Sequence, residues 1–139
     1  MPNHKTLQNS EEWLRIAKED LRAAKGLLPL ELFSPVTYHC QQAAEKSLKA
    51  YLVFNKQPAP KTHDLLRLLE FCMHSDKNFE KVFEAADCLN PFSMKFRYPT
   101  EFDIPDLTDA ESAVQQAQRI VAFVVQKISQ PETGQVSLF

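Results

Sequence analysis

Apolar residues recur every three or four positions along most of this chain, and the stripes they draw predict five amphipathic helices. Trp13, Ala17, Leu21, Ala24 and Leu28 share one helical face. Ser10 is placed to cap that helix, and Glu11 and Glu12 give its first turn the charge a helix dipole prefers. Pro29 stops it. Ser34-Pro35 restarts the chain with a capping hydroxyl and a proline preset for the first turn. The second helix then runs to about Asn55, roughly 30 Å at 1.5 Å per residue. Val36, Cys40, Ala43, Ala44, Ser47, Leu48 and Tyr51 form its buried stripe, small enough to let a neighbouring backbone approach closely.

The linker KQPAPK carries two prolines and is expected to be extended. A third helix begins near Thr62-His63-Asp64, where Thr62 or Asp64 can cap, and carries Leu65, Leu66, Leu68, Leu69 and Cys72. Asp76 is expected to cap a fourth, with Phe79, Val82, Phe83, Ala86 and Leu89 inward. Residues 91–107 hold three prolines and four aromatics and read as an irregular, packed connection. Thr108-Asp109-Ala110-Glu111 has the form of a capping box. It opens a fifth helix with Ala110, Ala113, Val114, Ala117, Val121, Val124 and Ile128 on one side. Short connections favour antiparallel neighbours. The expected fold is therefore all-α, an antiparallel up-and-down bundle of about five helices, framed by the first, second and fifth. The expected organisation is an N-terminal arm at 1–9, the bundle at 10–129 and a tail at 130–139.

Composition agrees. Gly26 and Gly134 are the only glycines, too few for a phosphate-cradling glycine loop or a turn-rich β fold. The net charge of −2 excludes a general electrostatic hold on nucleic acid, so any such contact needs a local basic patch. Cys40, Cys72 and Cys88 are odd in number and far apart, with no CxxC pair. They indicate neither a zinc knuckle nor a disulfide framework. His4, His39, His63 and His74 have no metal-ligand spacing, so no metal or cofactor is expected. No signal-like or membrane-spanning apolar run occurs, and a reducing cytoplasm is the expected location.

The polar side of the second helix carries His39, Gln42, Glu45, Lys46 and Lys49. There Lys46 or Lys49 could meet phosphate and Gln42 a base edge. The alternative is a solvated face with a Glu45–Lys49 pair at i,i+4. His63 is either a general base beside Asp64 or a packing and capping residue. Lys95, Phe96, Arg97 and Tyr98 interleave cations with rings, which suits a phosphate and a stacked base. Equally, the rings could plug the bundle end while Arg97 pairs with Glu101 or Asp103. The terminal Gln135-Val136-Ser137-Leu138-Phe139 offers Gln135, Leu138 and Phe139 as anchors. It is similar to the short peptide that docks bacterial proteins on the DNA sliding clamp, though such residues also tuck against their own fold.

Four stretches together carry a family likeness. His39-Cys40-Gln41-Gln42-Ala43-Ala44-Glu45-Lys46-Ser47-Leu48-Lys49-Ala50 resembles the second-helix signature of the HEPN family, and Lys61-Thr62-His63-Asp64-Leu65 the start of that family's third helix. Arg97-Tyr98-Pro99 resembles an element before its last helix, and Ala17 with Asp20-Leu21 suits its first. The likeness covers roughly residues 10–128. It implies a helical bundle that commonly forms homodimers and often accompanies a minimal nucleotidyltransferase, as the toxin or the substrate-binding member of a toxin–antitoxin-like pair. Tyr98 is then the tyrosine such a partner would modify. Many relatives are metal-independent ribonucleases that use an Arg, four to six residues and a His. This chain departs from that pattern, because no histidine follows Arg97. Arg67 and His74 fit the spacing, but on the third helix, where Glu70 between them also suits an ordinary charge cluster. The expectation is a nucleotide- or RNA-binding module rather than an enzyme, with cleavage by Arg67 and His74, or by Arg97 and His63, as the alternative.

Overall fold

The computed structural model describes the backbone at residues 4–95 and 104–129 and side chains at 9–93 and 104–129. Among these residues every regular element is helical and no strand occurs. Helix α1 spans His4–Leu27, and a 3₁₀ turn at Leu28–Leu30 leads into α2, Phe33–Phe54. Helix α3 is Leu65–Ser75, a 3₁₀ segment covers Lys77–Val82, and α4 is Phe83–Leu89. A single turn, α5 at Phe92–Lys95, precedes α6 at Leu107–Ser129. The bundle of five helices is the expected one, with α5 added in the irregular connection.

Helix α2 is the axis. It packs most extensively on α1 and next on α6, and also touches α3, α4 and α5. The reason lies in side-chain size. Ala17, Ala24, Ala43, Ala44, Ala113 and Ala117 are all fully buried, so three backbones approach closely along α2. Larger residues fill the space toward α3 and α4, including Leu48, Leu52, Leu65, Leu68, Leu69, Phe79 and Leu89. Phe79 stands between Tyr51, with centroids 4.5 Å apart, and Phe123, at 4.9 Å. No described helix is long and apolar enough to cross a membrane.

Several helix ends differ from their sequence expectation. Ser10 does not cap α1; it is fully buried inside a helix that starts at His4, since nothing in HKTLQNS breaks helical geometry. Residues 4–9, expected to be arm, therefore lengthen α1. Ser34 does not cap α2 either. Leu32 holds that position without a side-chain cap, and the first helical bond runs from Val36 N to Leu32 O at 3.0 Å. Pro35 is tolerated there because N–H groups of the first turn have no helical acceptor. Of the two candidates for α3, Asp64 is the cap: its carboxylate accepts from Leu66 N, while Thr62 Oγ1 accepts from Asp64 N. The box that opens α6 lies earlier than expected. Asp106 and Asp109 bond reciprocally through side chain and backbone, at 3.0 and 2.8 Å.

The end of α2 is unusual in using lysine where glycine is favoured. Lys56 adopts φ 66°, Lys56 N donates to Val53 O at 2.9 Å, and Gln57 N donates to Leu52 O at 2.9 Å. This is the Schellman arrangement, whose left-handed residue costs a side-chain-bearing amino acid about 1 kcal/mol. Lys56→Gly is therefore expected to raise stability by about 0.5–1 kcal/mol in urea denaturation. An unchanged or lowered midpoint would contradict that account.

Candidate functional site

One helix supplies most of the polar groups. On α2, Gln41, Glu45 and Lys49 follow at intervals of four and form one row; His39, Gln42 and Lys46 form a second beside it. The first row is buried, as neither the ligand-facing nor the solvated alternative had it, although the i,i+4 pair of Glu45 and Lys49 does form. Glu45 and Lys49 retain 5% and 7% of side-chain exposure, and Lys49 Nζ donates to Glu45 Oε2 at 2.9 Å. The ammonium also lies 5.8 Å from the centre of the Trp13 ring on α1. Burial of this pair follows from helix density: α2 packs against α1, α3 and α6, and its middle turns keep only Gln42 and Lys46 partly exposed.

Glu45 is also the anchor of His63. Both carboxylate oxygens lie 3.1 Å from His63 Nδ1. Gln41 Nε2 donates to the His63 carbonyl at 3.1 Å, and Gln42 Nε2 donates to Gln41 Oε1 at 2.8 Å. A residue of the linker before α3 is thus held twice from α2, by its backbone and by its ring. The ring itself remains 65% exposed. Behind it, Asn90 Oδ1 accepts from Leu65 N at 2.7 Å and Asn90 Nδ2 donates to Asp64 Oδ1 at 3.1 Å. These bonds fasten the start of α3 to the end of α4.

The second row faces α1. Asp20 receives His39 Nδ1 at 2.9 Å and Lys46 Nζ at 2.8 Å, one on each oxygen. Asp20 is 12% exposed, so this bridge joins α1 to α2 at the rim of the core. Lys46 therefore reaches a ligand only by sharing its ammonium with Asp20.

Arg67 and His74 are both exposed on α3. Arg67 stacks on Phe71 at 5.7 Å and borders a shallow groove of about 420 Å³ with Asp64, Glu70, Met73 and Phe83. His74 stands in the last turn of α3 and does not line that groove. Lys95 belongs to α5, whose backbone is described, but its side chain is not. Arg97, Tyr98, Gln135, Leu138 and Phe139 lie outside the described residues. Burial pushes the thiols of Cys40 and Cys72 up to about 12, so neither is a nucleophile at neutral pH. No group of His, Cys, Asp and Glu among the described residues could hold a metal.

Sequence reasoning missed Gln41 and Asp20 as partners in these networks. Periodicity held the signal: 41, 45 and 49 form an i,i+4 series, and polar residues so spaced on a central helix must find one another. Three of the stretches that bear the family likeness, those in α1, in α2 and before α3, are thus neighbours in space. The family model described as HEPN domain matches residues 10–128. The chain belongs to the HEPN family. Its fold is similar to that of TT1696 from Thermus thermophilus, with TM-score 0.76 and 32% identity over 85% of this chain and 97% of that one. It also resembles ST0689, described as an archaeal HEPN homologue, with TM-score 0.71 and 23% identity over 86% and 98%. No curated protein matches the chain. In this HEPN domain, Glu45 and Gln41 of the α2 signature are what hold the histidine of the Lys61–Leu65 motif.

Proposed function

We propose that this HEPN domain is a nucleotide- or RNA-binding module, the homodimeric cytoplasmic partner of a minimal nucleotidyltransferase in a toxin–antitoxin-like pair. Family membership supports the nucleotide association in general. The observation that carries the reading further is the capture of the exposed His63 by the buried Glu45 and Gln41, which ties two family motifs together at one outward-facing ring. Such over-determined placement is typical of a side chain that must meet a ligand in a fixed orientation. In this reading Gln42 and Lys46 stay partly exposed on the same helix, and Lys49 serves indirectly by holding Glu45. Helix α5 packs on α2, and Arg97 and Tyr98 follow it in sequence by two and three residues. Their guanidinium and ring would supply phosphate pairing and base stacking, and Tyr98 is the residue for a partner transferase to modify.

Tagged protein drawn from its native host, with bound proteins and nucleic acids identified, tests this. Recovery of a nucleotidyltransferase together with RNA or nucleotide is the expected result; recovery of neither refutes it. A second reading, metal-independent RNA cleavage, is favoured by the carboxylate–imidazole pair of Glu45 and His63, an arrangement suited to proton exchange. Purified protein incubated with total RNA and a chelator should leave it intact under the first reading and degrade it under the second. Comparing His63→Ala with His74→Ala then assigns the cleaving histidine.

A further inference from the structure

Helix α1 carries apolar side chains on two faces. One, with Leu14, Ala17 and Ala24, is buried in the core. The other, with Trp13 and Ile16 one turn apart, is only half-buried and borders a groove of about 790 Å³. Val53 in the last turn of α2, with Pro58 and Ala59 of the linker, completes its apolar lining, and Lys56 and Gln57 stand beside them. Nine residues line this groove, against the roughly 20–30 a side that a stable protein interface employs. It is therefore suited to a short segment with a few apolar anchors, and not to the face of a folded partner.

The groove lies at the end of the bundle where α6 stops. Lys127, in the last turn of α6, pairs with Asp76 at 2.7 Å. Asp76 follows Ser75, whose hydroxyl accepts from Gln57 Nε2 at 3.4 Å, and Gln57 lines the groove. Two side-chain bridges and one peptide link thus connect the last turn of α6 to the groove. Residues 130–139, outside the described residues, follow that turn and hold Val136, Leu138 and Phe139. A stretch of that length reaches as far as about 33–36 Å when extended, more than those links can separate.

We infer that residues 135–139 of the same chain occupy this groove, with Leu138 and Phe139 set against Trp13, Ile16 and Val53, and that these anchors are thereby masked from other proteins. Pro131 opposes continuation of α6 and so favours departure of the chain from the helix axis. Tethering makes the contact intramolecular. Over so short a linker the effective concentration is on the order of millimolar, so a contact of about millimolar affinity fills the groove in about half of the molecules. The inference is independent of what the domain binds elsewhere.

Trp13 is the only tryptophan of the chain, so its fluorescence reports on the groove alone. In the full chain, Leu138→Ser combined with Phe139→Ser should raise the acrylamide quenching constant of Trp13 about twofold, because emptying a half-filled groove doubles the accessible fraction. Protection in the parent should not depend on protein concentration. A peptide of residues 130–139 at about millimolar concentration should restore protection to the double variant, and the same peptide with both substitutions should not. Ile16→Glu, made from the side of the groove, should raise quenching as the tail variant does, and the tail substitutions added to it should raise it no further. Equal quenching of parent and tail variant would overturn the inference, as would a peptide without effect or a further rise on the Ile16→Glu background. Protection lost on dilution would overturn it too, by making the occupant a second copy.

Discussion

Glu45→Ala is expected to destabilise this domain by about 3–5 kcal/mol, because it strands the Lys49 ammonium in a site with 7% side-chain exposure. At this chain length that corresponds to a fall in Tm of about 10–15 °C. The loss should come from the uncompensated charge and not from the missing contacts. The double variant Glu45→Leu with Lys49→Met removes both charges and keeps the volume, so it should regain most of the lost stability. It should not regain the ordering of His63, whose Nδ1 would have no carboxylate to bind. Thermal melts of the three proteins, with the His63 ring followed by NMR, separate these roles. If the single variant costs under about 1 kcal/mol, the pair is effectively solvated, as exposed pairs are. If the double variant is no better than the single, burial of charge is not what makes the pair costly to break.

How much of this was legible beforehand depended on which physical signal was read. Hydrophobic periodicity located the elements, because burying one stripe per helix is the dominant requirement of a bundle. The linker prolines and Asp64 marked the start of α3 correctly. Caps were read less well at the other ends. Ser10, Ser34 and Thr108 all have capping chemistry, but a cap forms only where a helix actually starts: α1 is already helical from His4, Leu32 holds the cap position of α2, and Asp106 that of α6. The polar face of α2 was misread for a related reason. Glu45 and Lys49 look like a surface i,i+4 pair on any isolated helix. Only the presence of α1, α3 and α6 around α2 turns them into an interior pair. His63 was legible as a candidate, but its clamp was not, since Gln41 and Glu45 lie 22 and 18 positions away. That proximity exists only in the fold.

The clearest separation of pattern from structure concerns two phenylalanines. In an α-helix, Phe79 and Phe83 would lie about 40° apart and share a face, as the periodicity predicts. The structure instead places Lys77–Val82 in 3₁₀ geometry, which turns about 120° per residue. Four such steps carry Phe83 about 120° away from Phe79, whereas three bring Val82 back onto it. Accordingly Phe79 and Val82 are buried and Phe83 is 47% exposed beside α3. Phe79→Ala should then cost about 3–5 kcal/mol, since it opens a cavity between Tyr51 and Phe123 and removes both ring contacts. Phe83→Ala should change stability by no more than about 0.5 kcal/mol. Urea denaturation of the two variants, at unchanged m-value, makes the comparison directly. Equal losses would mean that the segment is α-helical through residue 83 and that both rings point inward. A loss confined to Phe79 is what the 3₁₀ turn requires, because the rotation that brings Val82 into the core is the same rotation that puts Phe83 outside it.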